Sequence, residues 1–113
     1  MFNELFKGSP KFAYNSDNNE YIGITDFLAE HDKNIAYQVK GMFITKGGKY
    51  GPRGIVVIDG FNIYAPKHLN EAIDKIRSNP EMVAAINEGK CNMVFRDYEK
   101  DGALHTTIDF VDA

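Results

Sequence analysis

The chain has 113 residues, of which 43% are hydrophobic and 12% aromatic, enough for one domain with a core of its own. Its longest aliphatic run, Ile55 to Ile58, falls far short of the ~20 apolar residues of a membrane span. The lone Cys91 excludes a disulfide framework or a thiol pair for a metal, and the net charge of −3 excludes a histone-like binder.

The charge is unevenly spread. Between Lys33 and Ile58 lie five bases, Lys33, Lys40, Lys46, Lys49 and Arg53, and no acid, whereas the remainder carries 16 acids against 8 bases. Such a distribution points one face at a polyanion while the rest repels it.

Residues 1–23 give the weakest structural signal. Phe2, Leu5, Phe6, Phe12, Tyr14 and Tyr21 are irregularly spaced, Glu4 stands where a secretory signal would be apolar, and Ser16 to Asn19 reads as a loop. The expectation is an N-terminal arm packed on the domain or on a neighbouring subunit, in a reducing, cytoplasmic setting. Thr25 is placed to cap a short helix over Asp26–His31, with Phe27 and Leu28 facing inward.

Ala36 to Lys46 reads as the first strong strand, apolar on both sides, with Gly41 marking a bend. A loop with four glycines, Gly47 to Gly54, leads to a second strand, Ile55–Ile58. Asp59-Gly60 signals a two-residue hairpin into a third strand, Phe61–Ala65. Pro66 suits the first position of a helix whose stripe is Leu69, Ala72, Ile73 and Ile76, with Glu71 and Lys75 paired outside. Asn79 caps a second helix with Pro80 at its first position, Met82, Val83 and Ile86 forming its stripe and Gly89 ending it. Cys91, Met93 and Phe95 alternate with Asn92, Val94, Arg96 and Tyr98 as the fourth strand. Lys100 to Gly102 turn the chain into the fifth, marked by Leu104, Thr106, Ile108 and Phe110. Three strands, two helices and two strands predict a mainly β chain: an OB-fold, a five-stranded β-barrel with a helical insertion between strands 3 and 4.

Little in the sequence suggests catalysis, and no enzyme is expected. His31, His68 and His105 share no metal-ligand spacing, and there is no P-loop, G-x-S-x-G or G-x-G-x-x-G. No cofactor is implied. Single-stranded nucleic acid, by contrast, needs cations for phosphates and flat rings for bases. Tyr37, Lys40, Phe43, Lys46, Lys49, Tyr50 and Arg53 interleave the two, and Arg96, Tyr98 and Lys100 repeat the combination beside the strand 4–5 turn. For Phe43 a core position is the simpler reading, Tyr37 is evenly balanced, and Tyr50 between glycines has little to pack on. The cations could equally be a solvated loop.

The segments Tyr37-Gln-Val-Lys-Gly-Met-Phe-Ile-Thr-Lys46, Lys49-Tyr-Gly51, Pro66-Lys-His-Leu69, Ile86-Asn-Glu-Gly-Lys90 and Ile108-Asp-Phe-Val-Asp112, with Phe12-Ala-Tyr-Asn15, resemble small single-stranded-DNA-binding proteins of tailed phages infecting lactococci and related Gram-positive bacteria. The resemblance implies an OB-fold, sequence-independent binding of single-stranded DNA in phage DNA replication or recombination in the host cytoplasm, and a homo-oligomer, dimer or tetramer. It also implies phage replication or recombination proteins as partners. Cellular relatives carry a flexible acidic tail, whereas Asp109 to Ala113 reads as the end of the fifth strand. The alternative is a protein-interaction module or host-factor inhibitor without nucleic-acid binding, which suits the acidic remainder but not the acid-free stretch. The long first strand is the expected edge for self-association.

Overall fold

The computed structural model describes residues 12–45 and 51–112. Strands form where apolar and β-branched residues run together. These are β1 (Glu20–Gly23), β2 (Tyr37–Gln38), β3 (Gly41–Thr45), β4 (Arg53–Ile58), β5 (Phe61–Tyr64), β6 (Cys91–Lys100) and β7 (Ala103–Asp112). Helices are α1 (Ile24–Leu28), α2 (Asn70–Arg77) and α3 (Pro80–Asn87), and a 3-10 turn over Lys67–Leu69 precedes α2. The chain is mainly β, in two sheets ordered β1-β5-β4-β3 and β2-β6-β7.

The first expected strand is one continuous segment that serves both sheets. Tyr37 pairs with Met93 of β6, while Gly41 to Thr45 pair with Val57 to Arg53 of β4. The changeover occurs between adjacent residues: the Val39 amide donates to the Cys91 carbonyl at 2.9 Å, and the Lys40 amide to the Val57 carbonyl at 2.7 Å. The bend expected at Gly41 thus falls just before it. Gly41 itself lies under the arm, where an added Cβ would come within 3.2 Å of the Phe12 ring. Among the described residues no ladder joins β7 back to the four-stranded sheet, so the ladders do not close a barrel.

Two features of the N-terminal region differ from expectation. Residues 20–23 are a strand, pairing in parallel with Phe61–Tyr64. The short helix begins at Ile24 with Gly23 at its N-cap and no side-chain cap. Thr25 therefore lies within the first turn and cannot cap it, because the parallel ladder carries the extended backbone up to Gly23. The arm from Phe12 onward packs on its own chain. The Ala13 amide donates to Asn87 Oδ1 at 2.8 Å, and Asn19 Nδ2 donates to the Ile58 carbonyl at 3.0 Å and to Asn62 Oδ1 at 3.1 Å. Expectations for residues 1–11 lie outside the described residues.

The core lies between the sheets and helices. Met42, Val56, Ile58 and Ile63 face Phe95, Met93 and Ile108, with Phe27 of α1 fully buried among them. Ile73 of α2 reaches the sheet at Gly54, where any Cβ would lie 2.5 Å from Ile73 Cδ1. Helix α3 follows its sequence signals: Asn79 Oδ1 accepts from the Glu81 and Met82 amides at 2.9 and 3.3 Å, and Pro80 opens the helix. The β6–β7 hairpin turns through Asp101 and Gly102, both at positive φ, as a two-residue turn of that geometry requires. No helix among the described residues is long and apolar enough to cross a membrane.

Candidate nucleic-acid interface

Cross-strand partners share a face of a sheet. Register places Phe43, Ile55 and Tyr64 in one row, Thr45 and Arg53 in the next, and Gly41, Val57, Asn62 and Tyr21 on the other side. This is the outer face of the four-stranded sheet, since Met42, Val56 and Ile63 on the alternate positions enter the core. Ile55 and Val57 are buried even here. Over them sit three aromatic rings. Tyr21, 52% exposed, packs edge-on to Phe43 at 6.5 Å and tilted against Tyr64 at 5.9 Å.

Arg53 supplies the charge. Its guanidinium lies 5.4 Å from the Tyr64 ring centroid, and its Nε donates to the Ala65 carbonyl at 3.0 Å. The second contact fixes the arm of the side chain, and the first keeps its cation over a ring, an arrangement that favours arginine over lysine. Rings beside an oriented, exposed guanidinium match what bases and phosphates require of a single-strand binder.

The other expected site residues fall in three places. Tyr37 turns inward: its ring is edge-on to Phe27 and Phe95, and its hydroxyl donates to the Asp32 carbonyl. Burial, and after it the nearby Asp32 carboxylate, pushes the phenol above its usual pKa. Lys40 borders a small hollow with Ala13, Tyr14, Gln38, Ile86 and Asn87, away from the aromatic row. Lys46, Lys49 and Tyr50 lie outside the described residues. They belong to the connection from Thr45 to Arg53, the pair that ends the β3–β4 ladder beside the rings.

The third place is the β6–β7 hairpin. Arg96 makes a two-pronged pair with Asp109, at 2.6 and 3.2 Å, which holds the Asp109 carboxyl below its usual range. On the opposite hairpin face Asp97 is bonded by Lys33 and by the Thr106 hydroxyl, and is lowered by both. Tyr98 is stacked on by His105, and Lys100 is exposed at the tip. Among the described residues no group of three His, Cys, Asp or Glu is arranged to hold a metal ion.

Tyr21 and Tyr64 are the site residues that periodicity does not reveal. Tyr21 looks like one more aromatic of an irregular arm until Glu20–Gly23 is seen to pair with β5. Tyr64 ends a strand of four residues, too short for alternation to set its outward face, and Asn62, the polar residue of that face, is itself buried. No protein-family model, curated protein or solved structure matches the chain.

Proposed function

We propose that this chain is an OB-type single-stranded-DNA-binding protein whose ligand lies across Tyr21, Phe43 and Tyr64, with Arg53 on its phosphates. The observation that carries the reading is the aromatic row on the outer face of the four-stranded sheet with the Arg53 guanidinium set over Tyr64. Phe43 and Arg53 belong to the acid-free stretch of the chain, and Tyr21 and Tyr64 join them from outside it. Binding of this kind is tolerant of sequence, because every base has a π-face.

The strand connectivity supports the OB reading. A bent first strand pairs with the second on one side and the fourth on the other, and the helices fall between the third and fourth. In this assignment β1 takes the free edge of β5, leaving the partly open barrel that the fold tolerates. A role in phage DNA replication or recombination, action in the host cytoplasm and assembly as a homo-oligomer belong to the same proposal and follow from the resemblance.

The test is fluorescence anisotropy of a labelled oligo-dT of about 16 nucleotides, near the upper site size of one OB fold. The same assay is repeated with oligo-rU and with duplex DNA. Binding should weaken as salt rises, and Tyr64→Ala or Tyr21→Ala should each cost ~1–3 kcal/mol. Arg53→Ala should flatten the log–log salt dependence by about 0.7. Lack of oligo-dT binding at low salt would overturn the proposal, as would binding unchanged in a folded Tyr21/Tyr64 double variant. Equal or tighter binding of duplex would overturn the single-strand assignment, and tighter binding of oligo-rU the choice of DNA.

A further inference from the structure

Where the 3-10 turn crosses the hairpin, two imidazoles close on one phenol. His68 Nε2 lies 3.1 Å from Oγ1 of Thr107, a side chain only 2% exposed. The His68 ring meets Tyr98 edge-on at 6.2 Å and 88°. From the other strand His105, the register partner of Tyr98, stacks on it at 5.5 Å and 28°. Tyr98 is thereby half-buried by its neighbours, and both imidazoles, His68 and His105, are exposed. One face of the His105 imidazole rests on Tyr98.

The charges around this group are of both signs. Register places Arg96 and Lys100 on the Tyr98 face of β6. Arg96 is neutralised by Asp109 of β7. The 3-10 turn adds Lys67, the hairpin turn adds Asp101, and the α2 acid nearest the turn, Glu71, is paired with Lys75 at 3.3 Å. The group also continues the tract described above. Arg53 is bonded to the Ala65 carbonyl, and the chain runs from there through Pro66 and Lys67 into His68.

We infer that His105, stacked on Tyr98 and braced through His68, is a second contact site for single-stranded nucleic acid, and that binding there tightens as the two imidazoles take up protons. The inference rests on the reading of the sheet face given above. A neutral imidazole offers a stacking surface only. An imidazolium adds a cation for the phosphate and a cation–π contact with the phenol beneath it. Imidazole is the side chain whose ordinary titration falls between about pH 5 and 8, and a protonated His68 donates from Nε2 to the Thr107 oxygen.

The experiment is the oligo-dT anisotropy titration at about pH 5.5, 6.5 and 7.5 and constant ionic strength, across the imidazole range. Wild-type protein should bind more tightly as pH falls, and its log–log salt dependence should steepen by about 0.7 for each histidine engaged. His105→Gln and His68→Gln should each reduce the response, and the double variant should abolish it and bind more weakly than wild type at the highest pH as well, since the neutral stacking surface is also lost. His31→Gln should keep the response, because His31 is stacked on Phe27 and donates to the Phe27 carbonyl. Circular dichroism establishes that each variant is folded. Oligonucleotide binding with no pH response, or a response that survives in the double variant, overturns this inference and leaves the sheet-face reading standing. Absence of binding at every pH overturns both.

Discussion

Replacing Phe27 by alanine should remove the clasp between the two sheets. Phe27 is fully buried, and its ring is shared. His31 stacks on it at 4.1 Å, Phe61 of the four-stranded sheet meets it edge-on at 5.4 Å, and Tyr37 and Phe95 of the other sheet lie at 5.3 and 5.8 Å. Truncating a buried Phe costs ~3–5 kcal/mol through lost transfer energy and the cavity left behind. Aromatic pairing adds ~0.5–1.5 kcal/mol per pair beyond buried area, so the loss belongs at the upper end, about 4–5 kcal/mol. Domain stabilities run to ~5–15 kcal/mol, so about a quarter or more of the total is at stake. In urea, with a slope of about 2 kcal/mol/M, the unfolding midpoint should fall by about 2 M. Phe27→Leu keeps most of the volume and loses only ring geometry, costing about 1.5 kcal/mol. The assay is equilibrium urea unfolding followed by far-UV circular dichroism. An alanine loss below about 2 kcal/mol, or one equal to that of leucine, would refute the role assigned to the rings.

Acid sensitivity should trace to the hairpin carboxyls. Asp97 is lowered by its bonds from Lys33 and Thr106, and Asp109 by its bond from Arg96. A carboxyl lowered in the folded state adds stability above its unfolded value, near ~3.9, and that stability is lost as pH falls through the folded value. The urea midpoint should therefore hold from neutrality to about pH 5 and drop below it. Asp109→Asn should shallow the drop, and an unchanged acid limb in that variant would count against the pairing. Asn79→Ala removes the side-chain acceptor from two amides of α3; it should cost about 1 kcal/mol, read as a melting point lowered by about 4 °C.

The parts of the fold legible in sequence are those governed by neighbours along the chain. Asn79-Pro80 announces a capped helix, Asp101-Gly102 a tight turn, and the alternation of Met93 and Phe95 with Val94 and Arg96 a strand. All three reflect local backbone preference, and the described structure has them where expected. What sequence conceals depends on distant partners. Glu20–Gly23 is short and has no inward pattern of its own, and it becomes a strand because β5 offers it an edge. The site divides in the same way. Arg53 and Phe43 stand out through charge and aromaticity, and they meet Tyr64 and Tyr21 only once four strands are aligned. Tyr37 looks equivalent to them in sequence, but α1 brings Phe27 against it and turns it into core.

The changeover between Val39 and Lys40 sets an order of events for the folding chain. Two hairpins, β4–β5 and β6–β7, each close across a two-residue turn and can zip on the microsecond timescale typical of such units. Neither has a complete core alone. The contacts that fuse them, Tyr37 with Met93 and Val39 with Cys91, join residues half the chain apart, so the entropy of closing a long loop falls on a single crossing. Non-local pairing of this kind slows folding toward the millisecond-to-second range. Substitutions around the crossing should accordingly lower the folding rate, and substitutions at the far tip of the β6–β7 hairpin should show mainly in the rate of unfolding.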